Sequence, residues 1–258
     1  MFELSVNLEY MFQEAGEAIE DRVAAAAAAG YRYVEFFSTA NRDIDAISKA
    51  LKDNDTVLWT VVTDPRTMLV DPDTHETFRG LFRQTAESAR TMGCTHVVVG
   101  SGLAVPYQKR PEQLETVAKA VSSIVPIAEE LGVTIFLEAV NIRHDHPGVL
   151  FSRTEDSVAV ARAVDSPRVR ILYDMYHSIT EGEDPSEVLP PIIDLVDHVQ
   201  IADVPGRGEP GTGTVDWPAK LQLLKDVGYE GLVGVECQAT RTPTADALQY
   251  IQQLCAQS

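Results

Sequence analysis

The chain has 258 residues, of which 45% are hydrophobic and 23% are charged. This composition is sufficient to bury a large core. Its 39 acidic and 21 basic residues give a formal net charge of −18, which is typical of a soluble, acidic surface. Such a surface repels nucleic-acid phosphates, so we expect a small-molecule partner and no nucleic acid.

The cysteine content and the N-terminal sequence indicate the compartment. Cys94, Cys237 and Cys255 show no C-x-x-C spacing and cannot all pair, as is usual for reduced thiols. The first residues lack the basic segment followed by an apolar stretch that marks a secretory signal. No apolar run reaches the roughly 18 residues of a membrane span. We therefore expect a soluble, cytoplasmic protein without a membrane partner.

A helical segment, a glycine, one or two linking residues and an apolar run recur along the chain. The glycines are Gly30, Gly93, Gly132 and Gly228. Glycine suits the left-handed residue that ends a helix, because it has no Cβ to clash there. The apolar runs are nearly continuous and rich in Val, Ile and Phe, which predicts strands buried on both faces of a parallel sheet.

Further strand candidates complete the series, which then has eight members at about 32 residues per unit. The added runs lie near Leu4–Leu8, Val57–Thr63, Val169–Tyr173 and His198–Ala202. Strands that alternate with helices in a chain of this length predict an α/β fold, a closed (β/α)8 TIM barrel, with an open doubly wound sheet as the alternative. No linker or compositional break divides the chain, so we predict one domain over residues 1–258.

Oxygen-bearing side chains end four consecutive strand candidates. They are Glu138, Asp174, Gln200 and Glu236. The carboxyl ends of barrel strands face the active site, so these side chains are expected to converge. One such carboxylate is commonly a helix cap, but three brought together repel one another unless a cation lies between them. Oxygen ligands suit Mg²⁺ or Mn²⁺ better than Zn²⁺, so we predict a divalent-metal site.

Several segments resemble hydroxypyruvate isomerases, a family of xylose-isomerase-like TIM barrels. They are LEAVN (Leu137–Asn141), YDMYH (Tyr173–His177), HVQIAD…GRGEPGTG (His198–Gly213) and VGVE (Val233–Glu236). SVNLEYMF near the N-terminus and YVEFF in the second strand extend the resemblance over most of the chain.

The resemblance implies a metal-dependent isomerase with the xylose-isomerase-like fold. By it, Glu138, Asp174, Gln200 and Glu236 are the metal ligands, and Glu138 and Glu236 also act as acid and base. The sequence departs from the family pattern at Ala139, where proline is expected, in the loop IRHDHPG and in TVVTD after the third strand. These departures concern the substrate more than the chemistry.

The chemistry also follows from the residue types. Moving a carbonyl group between adjacent carbons removes a proton beside it and passes through an enediolate. A divalent ion stabilises the developing negative charge, and a positioned carboxylate that transfers the proton contributes about 10²–10⁴-fold. We predict an enzyme of carbohydrate metabolism that converts hydroxypyruvate to tartronate semialdehyde.

Other functions stay open at this point. In the same chemistry, the alternatives are a 2-oxo-tetronate isomerase and a ketose 3-epimerase. A catalytically inactive barrel that binds metabolites is a further alternative. A metal-dependent DNA-repair nuclease is disfavoured by the net charge and the few histidines. Barrels often pair, so a homo-oligomer is also open.

Three more residues are predicted to bind substrate. His177 lies three positions after Asp174, where it can donate to a substrate oxygen, and Asn141 is its candidate neighbour. Arg207 can bind a substrate carboxylate through two parallel hydrogen bonds, with a solvent-facing arginine as the alternative. Of the other candidates, His144 or His146 can reach the barrel mouth, His96 and His198 are expected to be structural, and Cys237 is expected to point away from the mouth.

The segment Gly206–Gly211 matches the dinucleotide pattern G-x-G-x-x-G. Such a fingerprint must open directly into a helix after the first strand of a βαβ unit. Here Pro210 interrupts it, the strand before it is the seventh, and the next helix is predicted to begin only near Asp216–Pro218. We therefore interpret this segment as a substrate-binding loop that carries Arg207.

Overall fold

The computed structural model describes residues 2–257, which form a closed barrel of eight parallel strands. The strands are β1 (Leu4–Asn7), β2 (Tyr33–Glu35), β3 (Val57–Val62), β4 (His96–Val99), β5 (Thr134–Glu138), β6 (Val169–Asp174), β7 (Val196–Ile201) and β8 (Val233–Val235). Each strand pairs with the next, and β8 pairs with β1. The predicted (β/α)8 barrel is confirmed, and the open sheet is wrong because the first and last strands are hydrogen-bonded to each other.

Helices surround the barrel. They are α1 (Ile19–Ala28), α2 (Ile44–Asp53), α3 (His75–Thr91), α4 (Arg110–Leu131), α5 (Thr154–Val164), α6 (Met175–Glu181), α7 (Pro185–Val188), α8 (Trp217–Asp226), α9 (Thr244–Ala247) and α10 (Gln249–Gln257). Short 3-10 turns occur at Gln13–Ala15, Pro72–Thr74 and Pro190–Leu195. In the part of the chain described, none of these helices combines the length and apolar character that crossing a membrane requires.

The four glycines of the repeated unit adopt the left-handed conformation that the pattern predicts. Their φ angles are 90° at Gly30, 80° at Gly93, 65° at Gly132 and 77° at Gly228. Each lies just after a helix and before a strand. The chain can therefore turn sharply from the outer helical layer into the barrel at these positions.

The main apolar core lies between the strands and the helices, and a smaller cluster fills the barrel. Val98, Phe136 and Leu172 form that inner cluster. Phe136 stacks on the rings of His96 and His198, with centroid distances of 4.9 and 6.1 Å. Because β7 begins at Val196, two residues earlier than predicted, His198 lies within the strand and its ring packs inside the barrel.

Candidate active site

The strand register brings together the polar residues that the sequence predicted to converge. Glu138 and Asp174 are the last residues of β5 and β6, and Asp174 pairs with Gln200 of β7. Glu236 directly follows β8. Asp174, Gln200 and Glu236 are each at most 6% exposed. Side chains from four neighbouring strands therefore occupy one end of the barrel.

Glu138, Asp174 and His177 form a compact group whose candidate ligand atoms all lie within 4.8 Å of one another. His177 Nε2 is 3.9 Å from Glu138 Oε1 and 3.6 Å from Asp174 Oδ2. Asp174 Oδ1 accepts hydrogen bonds from the backbone amides of Tyr176 and His177 and so caps α6. This capping uses Oδ1 of Asp174 and leaves Oδ2 facing His177.

Asn141 orients the ring of His177 through a hydrogen bond to Nδ1. The backbone N–H of Asn141 donates to His177 Nδ1 over 3.2 Å, so the hydrogen of a neutral ring lies on Nε2. Burial lowers the pKa of His177 well below its usual value, which keeps the ring neutral. Asn141 Nδ2 donates to Asp145 over 2.7 Å. Asn141 thus lies behind His177, whereas His177 itself lines the cavity.

Arg207 supplies a positive charge among the carboxylates. Its Nη2 donates to Glu236 Oε1 and is 3.6 Å from Asp174 Oδ2. The guanidinium carbon lies 5.4 Å from the ring centre of Tyr10 and 5.1 Å from that of Tyr176, within cation–π distance of both. Arg207 is 6% exposed, so the alternative of a solvent-facing arginine is wrong.

In the side-chain amide of Gln200, the nitrogen is hydrogen-bonded and the oxygen is not. Its Nε2 donates to Glu35 Oε2 over 2.8 Å and to Glu236 Oε2 over 2.9 Å. Its Oε1 is buried and accepts no hydrogen bond within residues 2–257. A buried carbonyl oxygen without a donor is costly unless a cation or another ligand uses it. The donor set therefore fits a divalent ion with oxygen ligands.

Glu35, the last residue of β2, is a site residue that the sequence did not predict. It is 1% exposed. Its carboxylate accepts hydrogen bonds from Ser5 Oγ, Thr60 Oγ1, His198 Nε2 and Gln200 Nε2. Burial acts to raise the pKa of Glu35, but His198 and the other donors outweigh it and lower the pKa. The sequence contains one feature that could have revealed this residue, a carboxylate inside the apolar run YVEFF.

Burial raises the pKa of the carboxyl groups of the site. For Glu138 the pKa rises to about 8, because burial and the nearby Asp174 both disfavour its charged form. The pKa of Asp174 and that of Glu236 are also raised by burial, with Arg207 opposing the shift in both. The site therefore holds more acidic groups than its own cation neutralises, and an added cation is favoured there.

The glycine-rich loop uses its backbone amides internally. Asp203 Oδ2 accepts from the amide of Gly211 over 2.7 Å and from Trp217 Nε1 over 3.1 Å. Arg207 has a φ of 56°, and its carbonyl accepts a hydrogen bond from the amide of Gln238. Its side chain is buried. As predicted, α8 begins at Trp217 with Asp216 as its cap. This segment does not have the geometry of a dinucleotide loop.

A cavity of about 370 Å³ opens above these groups. Glu138, Gln200 and Glu236 line it together with His177 and Arg207. Among the apolar residues of its walls are Met68, Val98, Leu103, Pro147 and Leu172. Its volume falls within the range of roughly 300–1,000 Å³ that is usual for small-molecule sites.

The remaining candidate residues differ in where they lie relative to this cavity. His146 lines it, while His144 is exposed. Cys237 is fully buried with its Sγ 3.9 Å from Met11 Sδ, on the side away from the cavity lining.

Comparisons with known proteins place the chain among related barrels. The family model of the xylose isomerase-like TIM barrel matches residues 23–254. The 2-oxo-tetronate isomerase of Cupriavidus necator is 30% identical over 258 residues, covering 96% of each chain. The hydroxypyruvate isomerase of Escherichia coli is 26% identical and covers 95% of this chain and 96% of its own. A crystal structure named AP endonuclease, family 2, from Brucella melitensis superposes with a TM-score of 0.90 at 26% identity, over 98% of this chain and 99% of that one.

Proposed function

We infer that this chain, which belongs to the xylose isomerase-like TIM barrel family, is a metal-dependent isomerase of small hydroxy-keto acids. The observation that carries this inference is the convergence of Glu138, Asp174, Gln200 and Glu236 at neighbouring strand ends below one cavity. The names of the two relatives support the substrate class and make hydroxypyruvate and 2-oxo-tetronate the substrates to test.

We propose that the same four residues hold a divalent cation. The unpartnered Oε1 of Gln200 and the excess of buried carboxyl groups support this assignment. Oxygen-only donors favour Mg²⁺ or Mn²⁺. When bound, such an ion supplies Lewis-acid stabilisation to the negative charge that develops on the substrate oxygens.

The protein's own groups would move the proton. Isomerisation takes a proton from the carbon that bears the hydroxyl group and returns it to the former carbonyl carbon, while a second proton passes from the hydroxyl oxygen to the carbonyl oxygen. Glu138 and Glu236 both line the cavity, from β5 and from the end of β8, so a carboxylate oxygen of each can face the substrate. His177 presents its Nε2–H to a substrate oxygen, and Asn141 contributes by holding the His177 ring. Arg207 balances negative charge beside Glu236.

The test is turnover of hydroxypyruvate and of 2-oxo-tetronate by protein treated with EDTA and then supplied with Mg²⁺ or Mn²⁺. We expect activity only with the metal. Glu236→Gln keeps the size of the side chain and removes its acid–base group, so turnover should fall about 10²–10⁴-fold while ligand binding persists. Glu76→Gln, at an exposed position on α3, is the matched control.

Wild-type turnover in Glu236→Gln would exclude the proposed role of Glu236. Absence of turnover of both acids by wild-type protein with the metal bound would leave two alternatives, the inactive metabolite-binding barrel and a ketose 3-epimerase, and only the epimerase would turn over a ketose. Ketose 3-epimerase activity is the remaining alternative, since two carboxylates can also act on opposite faces of one carbon. Product analysis distinguishes it, because an epimerase leaves the carbonyl at the same carbon.

The net charge of −18 disfavours binding to nucleic acid and so counts against a nuclease function like the one in the name of the Brucella structure. The family match over most of the chain supports the proposal that residues 1–258 form one domain. The free, buried thiols of the three cysteines support a cytoplasmic location.

A further inference from the structure

Tyr10 brings a hydroxyl group to the cavity of the candidate active site. It follows β1 and lines the cavity together with Glu138, Glu236 and Arg207. Among residues 2–257, no atom forms a hydrogen bond with the Tyr10 hydroxyl. The described part of the chain gives this hydroxyl no structural partner, so it is available to a bound ligand.

A short turn after β1 holds the backbone of Tyr10. The amides of Tyr10 and Met11 donate to the carbonyl of Asn7 over 3.4 and 3.1 Å. The side chain of Asn7 accepts from the amide of Glu9 over 2.9 Å. Leu8 and Met11, which lie on either side of Tyr10 in the chain, are fully buried. Tyr10 therefore has a defined position beside the cavity, because its backbone cannot move without breaking these contacts.

The ring of Tyr10 packs on Phe37 and Arg207. Its centre is 5.5 Å from that of the Phe37 ring, at an interplanar angle of 79°, and 5.4 Å from the guanidinium carbon of Arg207. An edge-to-face contact and a cation–π contact restrict the orientation of the ring. The Tyr10 side chain is thus held beside Arg207, which donates a hydrogen bond to Glu236.

Tyr176 also packs on Arg207 but uses its hydroxyl differently. Its ring centre is 5.1 Å from the guanidinium carbon, and its hydroxyl donates to Asp145 Oδ2 over 2.8 Å. Tyr176 is not among the cavity-lining residues, whereas Tyr10 is. The Tyr176 hydroxyl therefore has a structural role, and the hydroxyl of Tyr10 has no comparable acceptor within residues 2–257.

The charges of the site reach the Tyr10 hydroxyl. Burial raises the pKa of Tyr10, Arg207 opposes the rise, and Glu236, Asp145 and Glu138 add to it. The hydroxyl is therefore protonated at neutral pH and can donate a hydrogen bond. Because the charges of both Glu138 and Glu236 act on it, it faces the space in which a substrate would meet these two carboxyl groups.

We propose that Tyr10 is a substrate-binding residue whose hydroxyl donates a hydrogen bond to a negatively charged substrate oxygen beside Arg207. A neutral donor next to a cation suits such an oxygen, since hydrogen bonds to charged groups are the stronger ones. A hydroxy-keto acid offers two oxygens of this kind, one on its carboxylate and one on the enediolate that forms when the proton leaves carbon. This inference rests on the proposed isomerase function for the chemistry of the ligand.

Binding calorimetry on Mg²⁺-saturated protein tests this contact without relying on turnover. D-glycerate presents a carboxylate, and glycolohydroxamate resembles the enediolate and has no carboxylate. Tyr10→Phe keeps the ring and removes only the hydroxyl, so we expect it to weaken the binding of at least one probe about tenfold, as the loss of a hydrogen bond to a charged group does. A loss confined to D-glycerate assigns the contact to the carboxylate, and a loss confined to glycolohydroxamate assigns it to the reacting oxygens.

Tyr107→Phe is the matched control, because Tyr107 is 80% exposed and is not among the cavity-lining residues. It should bind both probes as the wild-type protein does, and Mg²⁺ affinity should be unchanged in both variants. The proposal is overturned if Tyr10→Phe binds both probes with wild-type affinity or if Tyr107→Phe weakens them equally. It is also overturned if Tyr10→Phe loses Mg²⁺ affinity by the same factor, since the hydroxyl would then act through the metal site.

The same experiment separates this inference from the proposed function. Lack of isomerase turnover in protein that shows the expected binding would count against the proposed function alone. Unchanged binding in Tyr10→Phe, with turnover by the wild-type protein, would overturn only the role of Tyr10. Failure of the wild-type protein to bind either probe would overturn both.

Discussion

Glu35 and Glu236 together orient the amide of Gln200, since both accept hydrogen bonds from its Nε2. An ionised carboxylate only accepts hydrogen bonds, so Gln200 turns its Nε2 toward Glu35 and leaves its Oε1 free. Glu35→Gln keeps the size of the side chain but adds a donor, which allows the Gln200 amide to flip. Groups that orient metal ligands typically contribute 10- to 100-fold to affinity, and we expect Mn²⁺ affinity, measured by calorimetry, to fall by about this factor.

Ser5→Ala is the control for this prediction. It removes one hydrogen bond to Glu35 and leaves the contact between Glu35 and Gln200 in place. Mn²⁺ affinity should stay near the wild-type value, even if the midpoint of thermal unfolding drops. Equal losses of affinity in Glu35→Gln and Ser5→Ala would show that Glu35 supports the barrel interior in general and does not orient Gln200.

At the scale of elements, Gly102 allows the connections after β3 and β4 to pack together. An alanine there would have both a left-handed φ of 72° and a Cβ 2.2 Å from the Thr67 carbonyl oxygen. Gly30 has a φ of 90° with no atom within 4 Å of the added Cβ, so Gly30→Ala measures the conformational cost alone. We expect Gly102→Ala to lower the free energy of unfolding by about 1–3 kcal/mol more than Gly30→Ala, measured by urea denaturation.

Equal destabilisation by the two alanines would mean that the backbone at Thr67 moves away without cost. In that case, the backbone contact between Gly102 and Thr67 would not fix the outer wall of the cavity.

At the scale of the whole molecule, folding of the metal-free protein is coupled to pH through Glu138. The folded state keeps a proton on Glu138 up to its pKa of about 8, whereas the unfolded chain releases it above about 4.5. The folded state thus binds more protons in this interval, so the free energy of unfolding falls as pH rises from about 4.5 to about 8. The slope from one proton is at most about 1.4 kcal/mol per pH unit.

Thermal unfolding at about pH 7 and about pH 8 measures this coupling, and comparison with Glu138→Gln subtracts the histidines and cysteines, which also titrate partly in this range. EDTA-treated protein should be less stable at the higher pH. Mg²⁺ should raise stability at both values and remove the difference, because a bound cation keeps the carboxylates ionised. Glu138→Gln should reduce the difference in the EDTA-treated protein, and the rest belongs to Glu236 and Asp174, whose pKa values burial also raises. An unchanged pH dependence in this variant would assign the whole effect to other groups.

Local sequence patterns were enough to predict the barrel and the polar residues at its strand ends. Helix-ending glycines such as Gly30 and Gly132, and apolar runs of strand length, are local features that each unit carries within its own residues. Glu138, Asp174, Gln200 and Glu236 could be predicted to converge for the same reason, since each marks the end of its own strand and the barrel brings strand ends together.

The contacts of each polar group could not be predicted from local patterns. Glu35 acts through Gln200, which lies 165 positions away in sequence, and Arg66 meets His146, 80 positions away. Arg207 was predicted as a residue that binds substrate, but its pairing with Glu236 depends on how the loop after β7 folds back over β8. Hydrogen bonds, burial and pKa shifts depend on neighbours that become adjacent only when the barrel closes, so no local pattern of residues encodes them.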